Sequence, residues 1–197
     1  THPVGRRICD PVDLAPDRSK AAFLGLRTIA LRPVIGPWDA LLTEFSGRPT
    51  RLYACERTGA GVDILPLTLV TTGALRDLER QLGTKIEPQR FRANIIIEND
   101  LDRAEEDDWD GESLRIGDAL LRVRSSVPRC IVTQFNPADG KDDRHVVRAL
   151  GKYRPSVALP NNLAPSYKSP GFCSYAEVIE PGAIAVRDSV ELVGKHG

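Results

Sequence analysis

A surplus of charge is the first thing missing: 27 Lys and Arg balance 27 Asp and Glu, for a formal net charge of zero at pH 7. A neutral chain with an isoelectric point near 6.8 has no global field to draw in nucleic acid or an anionic membrane. Aromatic residues are scarce as well, at 6%, which leaves few platforms on which bases stack. No apolar run approaches the roughly 18 residues that span a bilayer. The opening stretch Thr-His-Pro-Val-Gly-Arg-Arg-Ile-Cys-Asp lacks the apolar segment of a secretory signal. The expectation is a cytoplasmic protein with neither nucleic acid nor membrane as partner. Cysteine is sparse: Cys9, Cys55, Cys130 and Cys173 stand far apart, none in a C-x-x-C pair. That spacing is poor for structural zinc, and in a reducing compartment disulfides are not expected. Each cysteine therefore starts as a small buried hydrophobe. Walker loops, GxGxxG, HExxH and GxSxG are all absent. So are haem, flavin and iron–sulfur signatures, so any redox chemistry needs an external electron donor.

What remains is an ordinary globular balance. The 197 residues are 41% hydrophobic and 27% charged, enough for one well-filled domain. No boundary or long linker interrupts the pattern, so the expectation is a single domain over 1–197. Residues 1–34, rich in Pro and Arg, are expected as a loose N-terminal arm or an edge strand or two. Trp38, Leu41, Leu42 and Phe45 share one helical face, with Pro37 at the start and Gly47 at the stop. A second helix follows with Leu75, Leu78 and Leu82 as its stripe, Thr72 as cap and Gly83 as stop. A third, short helix begins at His145. Strands are expected at 51–56, 62–71 and 90–98, where the run Ile95-Ile96-Ile97 suggests burial on both faces. Two more meet at the turn Gly117-Asp118, and others cover 130–135 and the segments Cys-Ser-Tyr-Ala-Glu-Val-Ile-Glu, Ala-Ile-Ala-Val and Ser-Val-Glu-Leu-Val. Residues 154–171 read as loop. Gly-Glu-Ser-Leu-Arg-Ile-Gly-Asp and Pro-Gly-Ala-Ile-Ala-Val-Arg-Asp echo each other, each with a charged turn before a further strand. Many short strands and three helices predict a mainly β (α+β), barrel-like core with peripheral helices.

Cys130 stands out by context. It follows Pro128-Arg129 at the start of an apolar segment, where a side chain is held rigidly and still meets solvent. Arg129 beside it favours the thiolate, which is both nucleophile and soft metal ligand. The alternative is a buried structural cysteine. Arg90, Arg92 and Asn94 alternate along an expected strand, which puts all three on one face. Two guanidiniums and an amide in a row suit phosphate or carboxylate; the alternative is a solvated face. The run Glu98 to Glu112 holds nine carboxylates. It reads as a solvated loop, a weak hard-cation site, or a source of one carboxylate near Cys130. A Cys130–His145 pair is a further candidate.

Together these segments resemble the MOSC domain family, the C-terminal domain of molybdenum cofactor sulfurase, and within it the amidoxime-reducing branch. The resemblance covers roughly residues 35–193. It rests on Arg90-Phe91-Arg92-Ala93-Asn94, the acidic segment ending in Trp109, Arg129-Cys130-x-x-Thr133, and Asn136-Pro137-x-x-Gly140, in that order. It implies a MOSC-type β-barrel and a molybdenum cofactor (molybdopterin) with Cys130 as metal ligand or sulfur carrier. It places Arg92 and Asn94 in the cofactor pocket, with Arg90, Arg129, Thr133 and Thr72 as neighbours. An acidic residue after the Arg-rich segment approaches the metal; here Asp100 and Asp102 are rival matches, because the loop is one residue longer. The Arg-Pro-Asn of the family reads Arg92-Ala93-Asn94. Molybdenum-binding members carry a preceding domain with a Tyr-Pro-Val-Lys-Ser-like segment. His2-Pro3-Val4-Gly5 is too short to stand in for it, which leaves cofactor retention as the expectation to test. The implied activity is molybdenum-dependent reduction of N-oxygenated small molecules with an external electron donor. The alternatives are a sulfurtransferase using a Cys130 persulfide supplied by a pyridoxal-phosphate desulfurase, and a stand-alone domain recruited to a biosynthetic pathway.

Overall fold

The computed structural model describes residues 12–23, 27–57, 59–62, 64–160 and 166–194. Cys9, with the rest of residues 1–11, and residues 24–26 of the expected N-terminal arm lie outside them. The chain divides into two compact units, Thr1–Val62 and Asp63–Gly197. Among the described residues no helix is long and apolar enough to cross a membrane.

The first unit is a small antiparallel sheet with one helix. Strands β1 (Asp13–Leu14), β2 (Ser19–Phe23) and β4 (Tyr53–Cys55) all pair with the central β3 (Arg27–Ile35). The stretch expected as an arm or edge strand is thus a paired sheet. Helix α1 (Trp38–Ser46) starts after Pro37 and ends at Gly47, whose φ of 67° lets its N–H reach the Thr43 carbonyl. Its apolar face was legible, but none of its residues is buried and Phe45 is 58% exposed.

The second unit is built on one curled, mostly antiparallel sheet, the expected mainly β, barrel-like fold with helices outside it. Its elements are β5 (Leu67–Thr71), α2 (Thr72–Leu82), β6 (Ile95–Ile97), β7 (Ser113–Ile116), β8 (Ala119–Pro128), α3 (Val146–Leu150), β9 (Ser156–Ala158), β10 (Lys168–Glu180) and β11 (Val190–Gly194). The strand order is β11-β7-β8-β10-β5-β6, with β9 on β10; only β5 and β6 run parallel. Alternation along the strands serves two cores. Val70, Val127 and Tyr175 join Leu75, Leu78, Val146, Leu150 and Phe172. Their neighbours Leu69 and Ala176 join Leu114, Ile116, Leu121 and Trp109 on the opposite face, as does Val123, which lies beyond a register shift from Val127 in β8. The sheet is therefore covered on both sides, and the consecutive residues Gly171–Ala176 of β10 are all buried.

Several sequence expectations need correction. Residues 90–94 are not strand. Pro88–Phe91 forms a 3-10 turn with Pro at its first position, Arg92 closes it with φ 52°, and β6 begins only at Ile95. Ile96 is 50% exposed, so the triple isoleucine is not buried on both faces. Residues Ile131–Gln134 are a 3-10 turn, not a strand. The 154–171 stretch contains β9 and the start of β10, while Ala183–Val186 is not a strand. Of the two echoing motifs only the first is a hairpin; β11 instead pairs with β7. Their turns dock on each other: the Asp118 N–H donates to the Ala183 carbonyl at 3.0 Å, and a Cβ on Gly117 would lie 2.5 Å from the Asp188 carboxylate.

Candidate functional site

Cys130 leaves the end of β8 in extended conformation, immediately before the 3-10 turn Ile131–Gln134, and its thiol is exposed. The turn is inverted relative to ordinary patterning. Ile131 and Val132 are 59% and 51% exposed, while Thr133 is buried. The Thr133 hydroxyl donates to the Cys130 carbonyl at 3.0 Å, and its backbone N–H reaches the same oxygen at 3.3 Å. A small polar residue inside the turn thus tethers the cysteine's own backbone.

The Arg129 guanidinium turns inward, away from the solvent that Cys130 meets. Its Nε donates to the Phe172 carbonyl at 2.7 Å and its Nη1 to the Phe91 carbonyl at 3.1 Å. The cation lies 5.6 Å above the Phe91 ring centroid. Its backbone N–H donates to the Pro170 carbonyl, and the Ser169 hydroxyl donates to its carbonyl. Arg90 is also inside, its side chain fully enclosed. It pairs with Glu87 through Nε and with Asp143 at 2.7 Å through Nη2, and donates through Nη1 to the Gln134 carbonyl at 3.0 Å. The hydrogen bond from Arg90 holds the Glu87 carboxyl below the ordinary carboxylate range. Both arginines, expected to line a cofactor pocket, thus engage the protein's own backbone around the Cys130 turn.

Arg92 and Asn94 are exposed. Asn94 mimics a strand partner: its side-chain oxygen accepts from the Thr68 N–H and its N–H donates to the Thr68 carbonyl, both at 2.9 Å. The αL backbone of Arg92 breaks the strand-like alternation expected for these two side chains.

A second assembly surrounds the Asn99–Asp102 loop. The cap of α2 is Thr71, one residue earlier than expected, its hydroxyl accepting from the Ala74 N–H at 3.1 Å. Thr72 instead exchanges hydrogen bonds with the Asn99 backbone. Asp102 is gripped by Arg76 and Arg80, each at 2.7 Å, and the Arg76 hydrogen bond lowers its pKa. Its rival Asp100 is exposed. His145 is exposed at the start of α3. Among the described residues no group of three or more His, Cys, Asp or Glu side chains is placed to hold a metal.

Sequence reasoning missed the burial of Glu106 and the backbone of Cys173, whose burial it expected. Glu106, inside the acidic run, is fully buried and accepts from the Thr71 N–H and hydroxyl, the latter at 2.6 Å. Burial raises its pKa. Its position just before Trp109 at 3-10 spacing was the available signal. Cys173 lies in β10 with φ 64°, fully buried, its thiol pushed up to about 12 by burial. The positive φ coincides with a register shift between Gly171 and Ser174. Each residue of that bulge is held from outside the strand. Arg154 donates to the Gly171 carbonyl, Arg129 to the Phe172 carbonyl, and Ser126 to the Cys173 carbonyl, while Ser174 donates to the Glu106 carbonyl.

The profile of a family described as MOSC domain matches residues 56–191. The rat protein named Mitochondrial amidoxime reducing component 2 (Rattus norvegicus) is 33% identical over 155 residues, 75% of this chain and 44% of its own length. The human protein named Mitochondrial amidoxime-reducing component 1 (Homo sapiens) is 34% identical over 134 residues, 68% of this chain and 38% of its own. A Xenopus laevis protein of the latter name is 27% identical over 160 residues, 81% of this chain and 45% of its own. The matched stretch is thus less than half the length of each of these relatives.

Proposed function

Because the chain belongs to the MOSC domain family, we propose that it takes part in molybdenum-dependent reduction of N-oxygenated small molecules, with Cys130 as a ligand of the metal in a molybdopterin cofactor. The observation that carries this reading is an exposed thiol on a turn braced from within by buried arginines. Its context is a chain 33% and 34% identical to proteins named as amidoxime-reducing components.

The residues present fit such a group. One exposed cysteine sulfur is the soft donor a cofactor with its own sulfur ligands calls for. Arg92 and Asn94, both exposed and two positions apart in the chain, offer a guanidinium fork and an amide to the phosphate of a pterin. Thr133 fixes the Cys130 backbone, and Thr72 fixes the loop that carries Asp100. Asp102 is occupied by Arg76 and Arg80, so the exposed Asp100 is the carboxylate available to a bound substrate. When bound, the cofactor supplies two-electron chemistry. Reducing a hydroxylated nitrogen takes two electrons and two protons and releases water, with the electrons delivered by an external donor protein.

The test is molybdenum content in wild type and Cys130→Ser, expressed in a host that makes the cofactor. Near-stoichiometric metal that falls sharply in the variant supports the reading; no metal in either contradicts it. The exposed thiol also suits a sulfur carrier. A gain of one sulfur on Cys130 after incubation with a pyridoxal-phosphate desulfurase and cysteine is the outcome that favours that role instead.

A further inference from the structure

We infer that Arg90 and Arg129 are positioning residues that lock the Cys130 turn at its two ends. The inference rests on Cys130 being the functional residue, but its physical content stands without any metal. At the leading end, Arg129 adjoins Cys130 in the chain. Its guanidinium forks between the carbonyls of Phe172, in the β10 bulge, and Phe91, in the 3-10 turn before β6. At the trailing end Arg90, from that same 3-10 turn, donates to the Gln134 carbonyl, the last residue of the turn. Arg90 is held in turn by Glu87 and by Asp143. Asp143 also accepts from the Asn136 side chain at 2.9 Å and sends its own N–H to the Gln134 carbonyl.

The chemistry of this arrangement is specific. The turn is too short to bury apolar side chains and points them outward, so packing cannot hold it. Charged donors to its carbonyls, and to the carbonyls that flank it, supply the rigidity instead. Two buried guanidiniums near one exposed thiol would be a costly way to stabilise an idle loop. They are a sensible way to keep a thiol at a fixed place on the surface, as a metal ligand or a group carrier requires.

The experiment is amide hydrogen exchange on the full chain, followed at Thr133, Phe135 and Asn136, whose N–H groups are bonded within the turn and its loop at 3.3, 3.2 and 2.7 Å. In Arg129→Met and Arg90→Met these amides are expected to exchange about 10- to 100-fold faster, the loss of a charged hydrogen bond, while β8 and α2 keep wild-type rates. Arg129→Lys reaches only one of the two carbonyls and restores part of the protection. A nitroxide on Cys130, in a Cys9→Ser/Cys55→Ser background, adds a spectroscopic readout: its spectrum gains a mobile component in the Met variants and loses part of it in Lys. Unchanged exchange in folded variants overturns the inference, and so does exchange that rises equally throughout β8 and α2. If the Met variants do not fold, Glu87→Gln with Asp143→Asn releases Arg90 from its less enclosed side. Unchanged protection at Asn136 in that protein is equally contrary. None of these readouts needs molybdenum, so a locked turn in a metal-free protein would sink the proposed function and leave this inference standing.

Discussion

At the residue scale, environment sorts the cysteines. Cys130 is exposed, whereas Cys173 is fully enclosed with its thiol raised to about 12. At pH 8 the thiolate fraction of Cys173 is on the order of 10⁻⁴. Brief treatment of the native protein with iodoacetamide is therefore expected to alkylate Cys130 and leave Cys173 unmodified, as read by peptide mass. Glu106 gives a pH signature. Burial raises its folded pKa above the ordinary 4.5. The native state thus binds the proton more tightly than the unfolded chain. Its favourable contribution is complete below about pH 4.5 and is lost as pH rises through the folded value. In Glu106→Gln this decline is expected to disappear. Urea midpoints from pH 4 to 8 check it: the variant's curve should be flatter than wild type in that direction, and parallel curves would contradict the assignment. The burial of Cys173 was expected and its positive φ was not, while Glu106 had only its spacing from Trp109 to mark it. Cys173 looked like any core cysteine, and Glu106 was one of nine carboxylates in a run otherwise largely solvated.

At the element scale, α2 was legible because its leucine stripe and Gly83 stop are local signals. The cap slipped by one because Thr71 and Thr72 are chemically equal, and only the distant Asn99 decides which of them turns to the helix. Gly73 shows the same long-range control. A Cβ there would lie 2.1 Å from the Leu101 carbonyl and 2.6 Å from that of Arg103. Gly73→Ala would gain about 1 kcal/mol in helix propensity. The overlap with fixed backbone outweighs that, so a net loss of about 1–3 kcal/mol is expected, measured as a lower denaturant midpoint. The segment around Arg90 was misread because Arg-Phe-Arg-Ala-Asn alternates like a strand. Pro88 at the first position of the 3-10 turn was the overlooked punctuation. The turn after Cys130 gave no such warning. Its apolar residues resemble a strand, and what holds it comes from residues more than 35 positions away. The start of β10 was hidden by Pro170-Gly171, residues that suit a bulge and argue against a strand.

At the scale of the whole molecule, the two units differ in what they bury. Both apolar clusters lie in Asp63–Gly197, whereas Val34 is the only buried hydrophobic among the described residues of Thr1–Val62. Residues 63–197 expressed alone are expected to melt cooperatively, and residues 1–62 alone are not. Circular dichroism melts of the two fragments check this; a cooperative transition in the short fragment would contradict it. The barrel-like character was legible because short alternating strands and turn residues recur along the chain. The division into units was not, because no linker composition marks residue 62.

The most direct measurement is the number of sulfur atoms around molybdenum, read by X-ray absorption on wild type and Cys130→Ser. Cys130 as ligand predicts one sulfur fewer in the variant, or loss of the metal altogether. An equal sulfur count in both proteins, or a wild type without molybdenum, would contradict it.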